Sequence, residues 1–129
     1  MALYQDFIDQ GFNFFVGVPC SALKNFIIDV EKGGLHPYVP ATKEDTAMAI
    51  AAGAWMAGKK PLVFLQSSGL GHLVNIIASL LKAYGFNIHL LISLRHTPFE
   101  HEFMGKITLD LLKILDYEKY VTILEETHS

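Results

Sequence analysis

Pro61-Leu62-Val63-Phe64-Leu65-Gln66-Ser67-Ser68-Gly69-Leu70-Gly71-His72 is the stretch whose reading decides the fold class. Its first six residues form a near-continuous apolar run of strand length. Such a strand needs burial on both faces, as in a parallel sheet. Two serines and two glycines then supply a turn and a cap. Leu70, Leu73, Val74, Ile77 and Leu81 continue at helical spacing to about Ala83, and Gly85 breaks the pattern. The order is strand, tight turn, helix.

The same alternation extends in both directions. Upstream, Phe12-Asn13-Phe14-Phe15-Val16-Gly17-Val18 is a second buried-strand run, ended by Pro19. A short helix over residues 2–10 precedes it, with Leu3 and Phe7 on one face and Gly11 as its cap. Ser21 can cap the next helix, whose Leu23, Phe26, Ile27 and Val30 form one apolar face before Gly33-Gly34. His36-Pro37-Tyr38-Val39-Pro40 reads as a short strand hemmed in by its prolines. Thr42, with Asp45 three residues on, caps a small-residue helix with Ala47, Ile50, Ala51 and Ala54 as its inner face. Gly58 and Lys59-Lys60 end that helix. Downstream, Ile88-His89-Leu90-Leu91-Ile92-Ser93-Leu94 is a fourth strand, and residues 95–103 read as a polar loop. Ile107, Leu111, Ile114 and Leu115 mark a last helix, and Tyr120-Val121-Thr122-Ile123 a final strand or docked tail. Residues 125–129 are expected to fray. The pattern predicts an α/β protein, a three-layer α/β/α sandwich with a mainly parallel sheet and right-handed crossovers. One domain over residues 1–129 is expected.

Composition excludes several classes. The formal net charge is −3, and no Lys/Arg-rich run interleaved with aromatics supports nucleic-acid binding. The single cysteine, Cys20, rules out an intrachain disulfide framework. No basic segment leads into an apolar core at the start, and no apolar run approaches the roughly 20 residues of a membrane span. A cytoplasmic location is the expectation. The chain is 51% hydrophobic and 18% charged, against about 25% charged in ordinary soluble domains. The surplus suits either a doubly covered sheet or a surface that a partner covers.

Ligands of such sheets sit outside the carboxyl ends of the strands, at a switch point. The segments following strands are Pro19-Cys20-Ser21, then residues 41–45, 67–72 and 95–102. They are expected to bring Cys20, Lys24, Glu44, Ser67, Ser68, His72, Arg95 and His96 to one edge. Each has two readings. Glu44 is either a carboxylate placed in a first helical turn by the helix dipole, or a partly desolvated acid that shares a proton with a ligand nitrogen. Ser67 to His72 is either a cap and tight turn, or a set of free N–H groups for an anion or a close-lying ligand. It is neither a dinucleotide fingerprint nor a P-loop. Arg95 is either a surface partner of Glu100 or Glu102, or a fork for a carboxylate, phosphonate or sulfonate. Cys20 suits pocket lining better than a nucleophile's role, because no His stands beside it in sequence. His96, Glu100, His101 and Glu102 show no metal-ligand spacing, so no metal site is assigned.

Taken together, Gly17-Val18-Pro19-Cys20-Ser21-Ala22-Leu23-Lys24, Lys43-Glu44 before an alanine-rich helix, Gln66-Ser67-Ser68-Gly69-Leu70-Gly71-His72-Leu73-Val74-Asn75, and Arg95-His96-Thr97-Pro98 resemble one family. It is the thiamine-diphosphate-dependent sulfopyruvate and phosphonopyruvate decarboxylases, and the resemblance, running from about Leu3 to Tyr120, is to their pyrimidine-binding domain. It implies that Glu44 hydrogen-bonds the aminopyrimidine of thiamine diphosphate and promotes the imino tautomer that removes the thiazolium proton. It implies that Ser68, Gly69, Gly71 and His72 line the cofactor. It also implies that Cys20, Ser21, Lys24, Arg95 and His96 face the substrate. The sequence departs from the family pattern at Ser67 and His72, where Asn is common, and at His96, where Gly is common. Cys20 resembles the small subunit of the sulfonate enzyme, which implies sulfopyruvate, converted to sulfoacetaldehyde and carbon dioxide in coenzyme M biosynthesis. Phosphonopyruvate or another 2-oxo acid is the alternative substrate.

Family members bind the diphosphate and Mg²⁺ through a Gly-Asp-Gly motif and a later Asn, and Gly-Asp-Gly is absent from this sequence. The resemblance therefore implies an α subunit that needs a separate diphosphate-binding β subunit carrying the Mg²⁺, in an α₂β₂ or larger assembly. A non-catalytic α/β module is the competing class. Val18-Pro19-Cys20 offers neither the acidic cluster of a receiver nor the hydroxyl-rich loop of a flavin carrier.

Overall fold

Strands β1 (Phe14–Gly17), β2 (Tyr38–Pro40), β3 (Pro61–Gln66), β4 (His89–Leu94) and β5 (Val121–Glu125) pair in the order β2-β1-β3-β4-β5 in the computed structural model, which describes residues 2–125. Every pairing among them is parallel. The chain leaves β1 for β2 on one side and crosses to β3 on the other, so β1 and β3 flank the switch point of a doubly wound sheet.

Alternation along the strands sorts two cores. On one face Phe15, Leu62, Phe64 and Leu91 pack with helices α1 (Ala2–Asp9) and α2 (Lys24–Gly33), through Phe7, Phe26 and Val30, and with Leu23 of the turn before α2. On the other, Val16, Val63, Leu65, Leu90 and Ile92 pack with α3 (Glu44–Met56), with a helical segment around α4 (Val74–Ile76), and with α5 (Phe99–Ile114). Each large apolar side chain so buried contributes roughly 1.5–3 kcal/mol. Gly17 lets β1 approach β3, since a side chain there would overlap the Phe64 carbonyl and ring.

Several local expectations are corrected. The polar stretch at residues 95–103 is not all loop: α5 begins at Phe99. Its first turn is solvent-facing and carries Glu100 and Glu102, as the dipole favours, so no apolar periodicity announced it. The segment after β3 buries Leu70, Leu73, Ile77 and Leu81 as expected, with a different winding. It runs as 3₁₀ helix over Ser67–Leu73, α over Val74–Ile76, and π over Ile77–Lys82. Hydrophobic spacing fixes a face but not the hydrogen-bond register beneath it. The N-cap of α3 is Lys43, without a side-chain bond, and Asp45 accepts the neighbouring Thr46 N–H at 2.8 Å instead of joining Thr42. Ser21 opens a 3₁₀ turn rather than capping α2. Met48 and Ala52 join Ala47 and Ala51 in the core, with Ile50 and Ala54 half-buried. Glu125 belongs to β5, and the rest of the expected frayed tail lies outside the described residues. Among the described residues no helix is long and apolar enough to cross a membrane.

Candidate active site

Because all five strands are parallel, their carboxyl ends share one edge, and the segments that follow β1, β2, β3 and β4 meet there. Ala41 N–H donates to the Gly17 carbonyl at 2.8 Å, which ties the entry to α3 to the end of β1. Three residues on, Glu44 starts α3 from an extended Lys43. Its half-buried carboxylate lies against Gly69, so close that a methyl group there would overlap it. Sequence distance hides this contact, and the topology of β2-β1-β3 creates it.

Gly69 is buried within the 3₁₀ turn, whereas Gly71 and His72 are exposed on it. A side chain at Gly71 would meet only open space. Ser67 is fully buried and its Oγ accepts the Arg95 backbone N–H at 2.9 Å, so the first serine locks the turn to the end of β4. Ser68 Oγ lies 2.5 Å from His101 Nδ1.

Arg95 is half-buried and held by its own chain. Its guanidinium donates to Gln66 Oε1 and to the Thr97 carbonyl, each at 3.0 Å. Its charge also reaches Cys20. Burial pushes the Cys20 thiol above its ordinary range, against the opposing pull of the Leu23 and Ala22 backbone and of Arg95. A thiol so held is a poor nucleophile.

Cys20, with exposed Ser21 and Lys24, lines a cavity of about 420 Å³ that runs along α2 past Ile28 to Glu31. Glu44 and the 67–72 turn are not part of its wall. The predicted residues therefore form two groups. Glu44, Gly69 and Ser68 are one, and Cys20, Ser21 and Lys24 the other. Arg95 hydrogen-bonds Gln66 at the entry to the 67–72 turn, and its charge weakly opposes the rise of the Cys20 pKa. His96 is exposed and packs near Gly105 of α5. Among the described residues no three His, Cys, Asp or Glu side chains group as metal ligands.

Two residues escaped the sequence reading. Gln66 enters the sequence reading as the end of a strand and the first residue of a family motif, with no role of its own, yet it orients Arg95. His101 enters that reading only as a candidate metal ligand within a loop. Placing the start of α5 at Phe99 would have put it on the first turn, where it faces Ser68.

The model of the thiamine pyrophosphate enzyme, N-terminal TPP binding domain, matches residues 2–110. The sulfopyruvate decarboxylase subunit alpha of Methanothermobacter thermautotrophicus is 40% identical over 121 residues, 89% of this chain and 72% of that protein. That of Methanocaldococcus jannaschii is 40% identical over 95 residues, 74% of this chain and 56% of that protein. The phosphonopyruvate decarboxylase of Streptomyces viridochromogenes is 38% identical over 107 residues, 79% of this chain and 27% of that protein. The chain thus spans little more than half of one alpha subunit and about a quarter of the phosphonate enzyme. Among solved structures, the 2-oxoglutarate:ferredoxin oxidoreductase from Magnetococcus marinus matches 96% of the chain and 27% of its own, with a TM-score of 0.61 and 17% identity, which bears on the fold alone.

Proposed function

The chain belongs to the thiamine pyrophosphate enzymes, through their N-terminal TPP-binding domain, and to the sulfopyruvate decarboxylase alpha subunits among them, and we propose that it is the pyrimidine-binding half of a 2-oxo acid decarboxylase. The proposal takes residues 1–129 as one such domain. The observation that carries it is Glu44 on Gly69: a half-buried carboxylate at a helix start, beside a surface from which side chains are missing. That arrangement fits a flat heteroaromatic ring bearing a basic nitrogen. Thiamine diphosphate, when bound, supplies the electron sink for loss of carbon dioxide.

Glu44 hydrogen-bonds the pyrimidine ring and moves a proton at its own carboxyl oxygen. Gly69 makes the space that the Glu44 carboxylate fills, Gly71 is open on its side-chain face and would give the ring room, and Ser68 and His72 would border it. Arg95, aimed by Gln66, holds the acid end of the substrate through its planar fork, with His96 beside it. Cys20, Ser21 and Lys24 shape the far side of the substrate edge. The net reaction is a 2-oxo acid carboxylate plus a proton giving an aldehyde and carbon dioxide. Sulfopyruvate is the favoured substrate, on the strength of the alpha-subunit relatives, with phosphonopyruvate as the alternative.

A separate β subunit that carries the diphosphate and Mg²⁺ site completes the reading, in an α₂β₂ or larger assembly in the cytoplasm. The name "subunit alpha" of the relatives supports it. Exposed Phe99, Phe103 and Ile114 along α5 supply apolar surface for such a partner. The test is reconstitution with thiamine diphosphate, Mg²⁺ and the β subunit, assaying sulfopyruvate, phosphonopyruvate and pyruvate in parallel. Turnover is expected only in the complex. Full turnover by Glu44→Gln in that complex would sink the proposal.

A further inference from the structure

The turn that carries Gly69 is 3₁₀ helix, whose hydrogen bonds have poorer geometry than those of an α-helix. Its position therefore depends on outside anchors. Two are present. Buried Ser67 Oγ accepts the Arg95 backbone N–H. Ser68 Oγ pairs with His101 Nδ1 at 2.5 Å. His101 is half-buried on the first turn of α5, and α5 is itself seated on the end of β4: a side chain at Gly105 would overlap the Arg95 carbonyl. Contacts thus run from α5 through His101 and Ser68 to Gly69, and end at the Glu44 carboxylate.

We infer that His101 is a positioning residue for Glu44. Its ring holds Ser68, the hydroxyl fixes the backbone of Gly69, and Gly69 sets where the carboxylate can lie. With Nδ1 as acceptor the Ser68 hydroxyl donates to it. With Nδ1–H as donor the hydroxyl is left to donate elsewhere. Ser68 and His101 stay paired in both tautomers, with the donor and acceptor exchanged. The inference rests on the reading of Glu44 as the acid that serves the cofactor.

The test compares His101→Ala, Ser68→Ala, their double variant and His101→Asn, all in the complete complex. Asn brings an amide atom close to where Nδ1 stands. Two readouts are taken: kcat and KM for the 2-oxo acid, and amide hydrogen exchange of residues 67–73 without cofactor. Each single Ala variant is expected to lower kcat about tenfold with KM within about twofold, since a small misplacement of an acid is felt in the chemical step. The double variant is expected to be no worse than either single, as for two residues acting through one contact. Exchange over residues 67–73 is expected to rise about tenfold in both single variants. His101→Asn is expected to restore both readouts to within about threefold, because it keeps a hydrogen-bond partner for Ser68. Unchanged exchange or wild-type kcat in His101→Ala, additive losses, or failure of the Asn rescue would overturn the inference. The exchange measurement needs no turnover, so an inactive wild-type complex would count against the functional reading and leave exchange to decide for or against His101.

Discussion

The Glu44 carboxylate lies against the bare Cα of Gly69, where a methyl group would take its place. The clash of a Gly69→Ala variant falls on the far end of a flexible side chain, which can swing away. The expected stability cost is therefore small, about 1 kcal/mol or less. The functional cost is not small, because the acid leaves its position, and turnover of the complex should fall about 100-fold. Thermal unfolding and turnover measured on the same preparation check this. A large loss of melting temperature with proportionate loss of activity would make Gly69 a packing residue only.

How much of this was legible in the sequence depends on which physical signal each feature left. The apolar runs at β1, β3 and β4 report strands buried on both faces, so the layered parallel sheet followed from them directly. Ser67 and Ser68 stood out as a polar pair at a strand end, although which neighbour each would take was not written there. The contact between Glu44 and Gly69 spans the whole α3 crossover and β3, and no local pattern records it. The first turn of α5 was missed because Phe99, Glu100 and Glu102 face solvent, and helical periodicity is visible only where one face is buried. Tyr117 was missed because its value lies in its hydroxyl, which hydropathy does not read.

That hydroxyl gives the second prediction. Buried Tyr117 donates to the Ile88 carbonyl at 2.5 Å and accepts the Ile88 N–H at 3.1 Å, tying the approach to β5 to the start of β4. Tyr117→Phe keeps the ring and strands both backbone groups. Each buried group left unpaired costs about 1–3 kcal/mol, so a loss of roughly 2–6 kcal/mol is expected. Urea unfolding measures it. A midpoint equal to wild type would mean that other groups or water satisfy Ile88.

His89 makes stability depend on pH. Its ring packs against Phe7 and Phe12 and its Nε2 lies 2.7 Å from Thr122 Oγ1. Burial first, and the Lys60 charge second, lower its proton affinity. The unfolded chain therefore takes up a proton at His89 below about pH 6.5, while the folded chain resists it. The stability associated with His89 is full above that pH, declines as pH falls towards the lowered folded value, and then levels off. Wild type and His89→Gln should show a constant difference in melting temperature from pH 7 upward, as the linkage relation requires, and wild type should lose ground relative to the variant below about pH 6. Parallel curves from pH 5 to 8 would show that His89 titrates alike in both states.

Arg95 tests the substrate edge. Its guanidinium spans Gln66 Oε1 and the Thr97 carbonyl, and its backbone N–H is fixed by Ser67. The fork is therefore held in orientation before any ligand arrives, and such preorganisation favours recognition of a planar carboxylate or of a sulfonate. Arg95→Lys keeps the charge and loses the fork. It is expected to raise KM for the 2-oxo acid by about 10–100-fold, the loss of a charge-assisted bond or two, with a smaller change in kcat. Gln66→Leu, which removes one of the guanidinium's acceptors without altering charge, should move KM in the same direction by less. If both variants instead lower kcat at unchanged KM, Arg95 acts on the reacting centre and the acid end of the substrate is held elsewhere.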